Sequence, residues 1–276
     1  MDMRIDTHVH IGDQFDFYMT EEMVLEAMKK YGIDFVLVSN ADAVEVDHKQ
    51  NLIPKQAQVA QEANLRRVLA FARAHQDKIG AAVWVKPLTE MVTSELEALI
   101  EKNRDIIFAL KLHPFHSKTS PMDEKVKPYL ELAKKYKLAV VSHTGGCEEA
   151  SPTHLYEAAK AYPEIPFVMV HMGLGSDNKE ALELLGKADN LYGDTAWVPM
   201  ETTIEAIKRY GSKKMLFGSD MPIDGVDTYT CNPKGVRSVY QDYFYVLPEK
   251  IGEESYKDLM YRNAMELFHI KKRKEK

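Results

Sequence analysis

The sequence predicts an α/β fold: a closed (β/α)8 barrel forming a single domain, with one extra C-terminal helix. Three observations predict it. Eight short runs rich in Val, Ile, Leu and Phe recur along the chain, each too short for a buried helix and each followed by a helix signal. No hairpin signal separates one run from the next, which argues for parallel strands joined by helices. Eight such units within residues 3–219 suit a closed barrel better than the alternative, an open doubly wound sheet.

The expected strands are, in order, Met3–Val9, Asp34–Val38, Ile79–Val85, Ile106–Leu112, Leu138–Ser142, Phe167–Val170, Asn190–Thr195 and Lys214–Ser219. Between them lie amphipathic stretches with recognisable starts. Thr20 precedes Glu21 and Glu22, placing acid in a first turn, where the helix dipole favours it. Ser120-Pro121 and Ser151-Pro152 each put an oxygen at the N-cap and proline at the first helical position. Ser176-Asp177 is read as opening another helix. No linker interrupts the alternation, so residues 1–276 are read as one domain, with a solvated basic tail over 271–276.

Composition narrows the class of function. The chain of 276 residues is 45% apolar and 28% charged, as in an ordinary soluble globular protein. Its net charge of −6 argues against a nucleic-acid partner recognised by bulk charge. No apolar run approaches the roughly 18 residues of a membrane span, and Met1-Asp2-Met3-Arg4 does not begin a signal peptide. Cys147 and Cys231 are far apart and offer neither a disulfide framework nor a paired-thiolate site. A cytoplasmic protein with a small-molecule partner, able to form a homo-oligomer, is the expectation.

The chemistry sits where the apolar runs end. The first closes on Asp6-Thr7-His8-Val9-His10, the fourth on Lys111-Leu112-His113, the fifth on Ser142-His143, the sixth on Val170-His171 and the eighth on Ser219-Asp220. In a barrel the carboxyl ends of the strands converge on one face, where active sites of this fold are built. Residues i and i+2 of a strand share a side, so His8 and His10 both face the interior. Two imidazoles on one face make half of a zinc-type site; His143 adds a third nitrogen and Asp220 an oxygen. Such a set suits zinc, and also iron, manganese or cobalt. Taken singly, each residue has a plainer reading: a hydrogen-bonded histidine at a strand end, or an aspartate capping the turn before Pro222. Coincidence at four strand ends favours the metal.

These motifs together resemble the amidohydrolase superfamily of metal-dependent hydrolases, specifically its amidohydrolase-related branch, which includes decarboxylases and lactonases. The resemblance rests on Asp6-Thr-His8-Val-His10, Lys111-Leu-His113-Pro, His143-Thr-Gly145, His171-Met-Gly173, Gly218-Ser-Asp220-Met-Pro222 and the closing Asn263-Ala-Met-Glu-Leu-Phe268. It implies that His8, His10, His143 and Asp220 bind one divalent metal, zinc foremost. It implies that Asp220 also serves as general base, and that His171 either binds a second metal or acts as an acid/base at the substrate carbonyl. Lys111 occupies the element where binuclear members carry a carbamylated lysine; the alternatives are an ion pair with Asp220 or Asp6, or a contact with a substrate anion. The activity implied is attack of activated water on an amide, lactone or ester carbonyl. Decarboxylation of an aromatic or unsaturated acid is the rival, and a non-catalytic metal- or ligand-binding barrel is the alternative of another class.

Substrate contacts are expected from the loops after the strands. Residues 12–18, 40–54 and 221–235 are long connections on that face. His113 shares a side with Lys111 and is a candidate substrate contact. His48, His75, His116, His154 and His269 fall in loops or helices and are not expected as ligands, with a place along the pocket left open only for His48 and His116. Asp6 is read as orienting one of the imidazoles. Arg66, Arg67 and Arg237 could hold a substrate carboxylate, against ordinary placement on a helix surface. Ser142 and Ser219 point away from their neighbours His143 and Asp220, so no serine triad forms. Gly173-Leu-Gly175 is not a dinucleotide fingerprint.

Overall fold

A computed structural model of the chain describes residues 3–14, 17–229 and 239–271. Its strands are β1 (Ile5–Gln14), β2 (Phe17–Met19), β3 (Phe35–Asn40), β4 (Ile79–Trp84), β5 (Ile107–Leu112), β6 (Ala139–Gly145), β7 (Phe167–Leu174), β8 (Leu191–Asp194) and β9 (Met215–Leu216). They form one sheet in the order β2-β1-β3-β4-β5-β6-β7-β8-β9, parallel throughout except for the β1–β2 pair. The sheet then closes on itself. Thr7 N–H donates to Phe217 O at 3.0 Å, His10 N–H to Met221 O at 2.8 Å and Asp220 N–H to His8 O at 2.9 Å. Each of the eight apolar runs overlaps one barrel strand, and β1, β3, β6 and β7 extend past the ends of theirs.

The departures are local. Residues 12–18 were expected as a loop, but β1 continues to Gln14 and turns back into β2, a hairpin with Gly12 opposite Met19. Gly12 is needed there: its φ is +131°, and a Cβ would lie 2.7 Å from Asn40 Oδ1. Thr20 caps Glu21–Tyr31 by accepting from Met23 N–H, and Ser151 caps Pro152–Ala161 by accepting from Thr153 N–H, each at 3.2 Å. After Ser176-Asp177 the helix is Lys179–Leu185, with left-handed Asn178 at its N-cap. Ser120-Pro121 starts no helix. It starts a β-turn, with Ser120 O accepting from Asp123 N–H at 3.0 Å, and the helix waits until Lys127. Serine followed by proline suits positions i and i+1 of a turn as well as an N-cap, and the turn wins here.

Apolar side chains fill two layers. Val9, Val38, Ala81, Val83, Leu110 and Val140 pack outward against the helices. Ile5, Leu37, Ala109, Val168 and Leu216 fill the barrel's lower interior, where Phe268 and Ile270 plug the bottom. The plug hangs from a C-terminal helical stretch, Glu253–Lys257, a π turn over Asp258–Arg262 and Asn263–Leu267. Asn263 Nδ2 fastens it beneath β9 by donating to Ser212 O at 2.7 Å and Met215 O at 2.8 Å. Among the described residues no helix is long and apolar enough to cross a membrane.

Candidate metal centre and active site

His8 and His10 leave β1 on its interior side, and a β-bulge sets their direction. Asp6 and Val9 pair with Val36 and Val38, three residues of β1 against two of β3. The extra residue breaks the alternation, so Asp6 does not orient an imidazole. Its carboxylate instead accepts from His8 N–H and Ser219 N–H at 3.1 Å each, from Tyr229 Oη–H at 2.7 Å and from the Ser219 hydroxyl. It ties the β1–β9 seam together. The imidazole is oriented by Asp194, at the end of β8. Asp194 Oδ2 accepts from His8 Nδ1 at 3.1 Å, while Oδ1 accepts from His171 N–H at 2.8 Å and Ala196 N–H at 3.2 Å.

These bonds decide which ring nitrogens carry lone pairs. His8 Nδ1 must donate to a carboxylate, so His8 Nε2 is bare. His171 Nδ1 donates to Ala196 O at 3.0 Å, leaving its Nε2 bare as well. His143 Nε2 donates to Gly145 O at 3.2 Å, and its Nδ1 is buried with no hydrogen-bond partner. His10 Nδ1 lies 3.0 Å from the Ser39 hydroxyl, which can give or take that bond. His8 Nε2 and His10 Nε2 are 3.0 Å apart, and Asp220 Oδ1 lies 3.3 and 3.1 Å from them. The ligand-type atoms of His8, His171 and Asp220 fall within 4.8 Å of one another. A proton on His10 Nε2 and the Lys111 ammonium beside His8 Nε2 offset this crowding, whereas the lone pair of His143 Nδ1 has no donor at all. The donor set fits a divalent metal.

Burial is the first cause that holds His8 and His143 well below the ordinary histidine range, helped by Lys111 and the neighbouring rings, and it holds His171 down at about 4 against the pull of Asp220. Asp220 is pushed up by burial, but the His10 hydrogen bond and the nearby His171, His10 and Lys111 outweigh that and hold it below the ordinary aspartate range. Lys111 Nζ lies 3.1 Å from His8 Nε2; burial pulls its pKa down against the pull of Asp220 and Asp194. Asp194 is pushed up by burial and drawn back by His171 N–H, Lys111 and Ala196 N–H. Two site residues also carry backbone strain. His171 and Asp220 are left-handed, with φ of 68° and 65°, a conformation that side chains occupy at a cost and chiefly at functional positions.

Above these groups opens a cavity of about 260 Å³. His10, His171 and Asp220 are at its lining, with His113, His143 and Trp84 along one wall. The Trp84 and His113 rings stack 4.8 Å apart, and His113 and His143 stack at 4.2 Å. His48 and His116 reach the cavity too, as does Met19 from the hairpin. Lys111 does not line it; it is buried, with its Nζ against His8. Arg66 pairs with Glu95, and Arg67 with Glu21 and Asp42, so neither is a free anion clamp. Arg237 and Cys231 lie outside the described residues. A larger groove, about 1210 Å³, lies at the opposite end of the barrel, between Asp34, Lys78, Arg104 and Phe268, away from the histidine cluster. Sequence reasoning passed over Asp194 and both tryptophans. Asp194 ends a strand as His143 and Asp220 do, so the same rule would have found it; Trp84 and Trp197 carried no signal.

A parallel barrel with clustered histidines and an ionised aspartate at its carboxyl end defines the class: a barrel built around a metal-type centre. The chain belongs to the amidohydrolase family, whose sequence model matches residues 5–270. Solved structures share the fold. 2,6-Dihydroxybenzoate decarboxylase from Rhizobium has a TM-score of 0.68 at 13% identity, covering 98% of this chain and 99% of that one. 5-Carboxyvanillate decarboxylase from Novosphingobium aromaticivorans, with bound manganese, gives 0.73 at 9%, covering 98% and 97%. A probable 2-pyrone-4,6-dicarboxylic acid hydrolase from Acinetobacter baumannii gives 0.64 at 14%, covering 97% and 99%. No curated protein matches the chain.

Proposed function

We propose that this protein is a metal-dependent hydrolase acting on the carbonyl group of a small, largely apolar molecule: an amide, lactone or ester. The observation that carries this is the convergence of bare imidazole nitrogens and an ionised Asp220 at the lining of a mostly apolar cavity. His8, His10 and Asp220 would hold the ion, with His143 contributing Nδ1. Zinc is the expected metal, and the manganese of the 5-carboxyvanillate decarboxylase structure makes manganese the next to test. A divalent cation supplies polarisation of a carbonyl and an acidified water at neutral pH.

The chain's own groups do the rest. Asp220 is the ionised carboxylate facing the cavity, and it takes the proton that water releases. His171 presents a lone pair, because Ala196 O already engages its Nδ1–H. It therefore enters as a proton acceptor or a ligand, and can donate to a leaving group only after taking up a proton. His113 and Trp84 form a flat wall that orients the substrate.

Decarboxylation of an aromatic acid is the second reading, favoured by that same flat wall and by Phe115 beside it. The test loads purified protein with zinc or manganese and offers amides, lactones, esters and aromatic acids, with acid release and carbon dioxide followed in parallel. Acid without carbon dioxide supports hydrolysis; carbon dioxide from an aromatic acid selects the second reading. Less than one ion per chain after supplementation overturns both. Two ions per chain would require His171 and a carbamylated Lys111 as further ligands.

A further inference from the structure

Asp220 has two carboxylate oxygens, and only Oδ1 faces His8 and His10. Oδ2 accepts the indole N–H of Trp197 at 3.0 Å. Trp197 is itself held: its backbone N–H donates to Tyr240 Oη at 3.0 Å, and that hydroxyl donates to Ser219 O at 2.6 Å. Tyr240 is fully buried, so one phenol joins the loop after β8 to the residue preceding Asp220. The indole spans the same gap from the side. Trp197 is left-handed at φ 57°, as Asp220 is at 65°, so both backbones sit in a conformation that needs outside support.

We infer that Trp197 is a positioning residue for Asp220: its indole N–H holds Oδ2 aside so that Oδ1 is presented to the cation, with Tyr240 fixing the Trp197 backbone. The inference rests on the metal reading of the site. A carboxylate with one oxygen engaged has little freedom left to lose when the other binds, and partners of this kind commonly change metal affinity by about 10–100-fold. The donor is neutral, so it orients the carboxylate without adding a positive charge beside the cation.

The test strips the protein with a chelator and titrates it with manganese, reading the free ion by electron paramagnetic resonance. Trp197→Phe keeps an aromatic ring and loses the N–H; its manganese affinity is expected to fall by about 10–100-fold. Tyr240→Phe should weaken binding in the same direction, and it carries the test if Trp197→Phe fails to fold. Tyr243→Phe is the control. Its hydroxyl donates to Val198 O at 3.0 Å in the same loop but makes no link to Asp220, so it should lower Tm and leave the manganese affinity unchanged. Unchanged affinity in both Trp197→Phe and Tyr240→Phe overturns the inference, and so does equal weakening in Tyr243→Phe. Wild type that takes up no manganese or zinc overturns the metal reading and this inference with it; binding that Trp197 and Tyr240 do not influence overturns this inference alone.

Discussion

His8 works through its two nitrogens at once, one donating to Asp194 and the other left bare toward His10 and Asp220. In Asp194→Asn the carbonyl oxygen stays with the His171 and Ala196 N–H groups, so the amide NH2 faces Nδ1 and reverses this tautomer. The expected outcome is a folded protein whose metal affinity is about 10–100-fold lower, measured by direct titration of the chelated form. Asp220→Asn keeps the shape of the side chain and loses the ionised oxygen. If hydrolysis is the reaction, its turnover should fall by at least about 100-fold; wild-type turnover in that variant would end the general-base assignment.

Elements place these residues through their ends. β6 ends on Gly145, whose φ is +104° and whose Cβ would lie 2.2 Å from Leu174 N of β7. Backbone cannot yield as a side-chain tip can, so Gly145→Ala should cost at least about 2 kcal/mol and several degrees in Tm. A melting curve superimposable on wild type would contradict this. A second element-level device ties the loop after β3 to the loop after β4. Glu45 accepts from Thr89 N–H at 2.6 Å, Thr89 Oγ1 at 2.7 Å and Leu88 N–H at 3.3 Å. Burial raises its pKa from 4.5 to about 7, against the pull of those hydrogen bonds. The folded protein therefore binds an extra proton between about pH 4.5 and 7, and Glu45's contribution to stability falls as pH rises through that window. Up to about 3 kcal/mol is at stake on the usual conversion. In Glu45→Gln that share of the decline should vanish, so Tm of wild type minus variant should slope downward from pH 4.5 to 7 and level off above.

At the scale of the molecule, the candidate metal centre and the barrel's closure share residues. β1 carries His8 and His10 and also hydrogen-bonds to the chain on either side of Asp220. An ion held by both β1 and Asp220 would staple the seam in the folded state alone. At a concentration 100 times its Kd it would add about 2.7 kcal/mol, roughly 5–10 °C in Tm for a chain of this size. Scanning calorimetry of the chelated and the zinc- or manganese-loaded protein checks this; coincident transitions would mean that the folded state does not hold the ion.

The eight strands, the side to which His8 and His10 turn, and the gathering of polar ends on one face were legible because burial and a two-residue period are properties of neighbours in sequence. The short Gly12–Met19 hairpin was not, because its turn shows no familiar dipeptide. Asp6 was misread for a different reason. One inserted residue in β1 turned it from the histidines to Ser219, 213 positions away. Asp194 and Trp197 act on His8 and Asp220 across 186 and 23 positions. Which side chain faces which across a closed barrel depends on where the sheet joins itself, and no local pattern records that. The sequence by itself determined a barrel with metal-competent residues at its carboxyl end. Only the tertiary structure decided which nitrogens are left bare, which oxygen of Asp220 is offered, and what holds it there, because those follow from hydrogen bonds made when distant strands close.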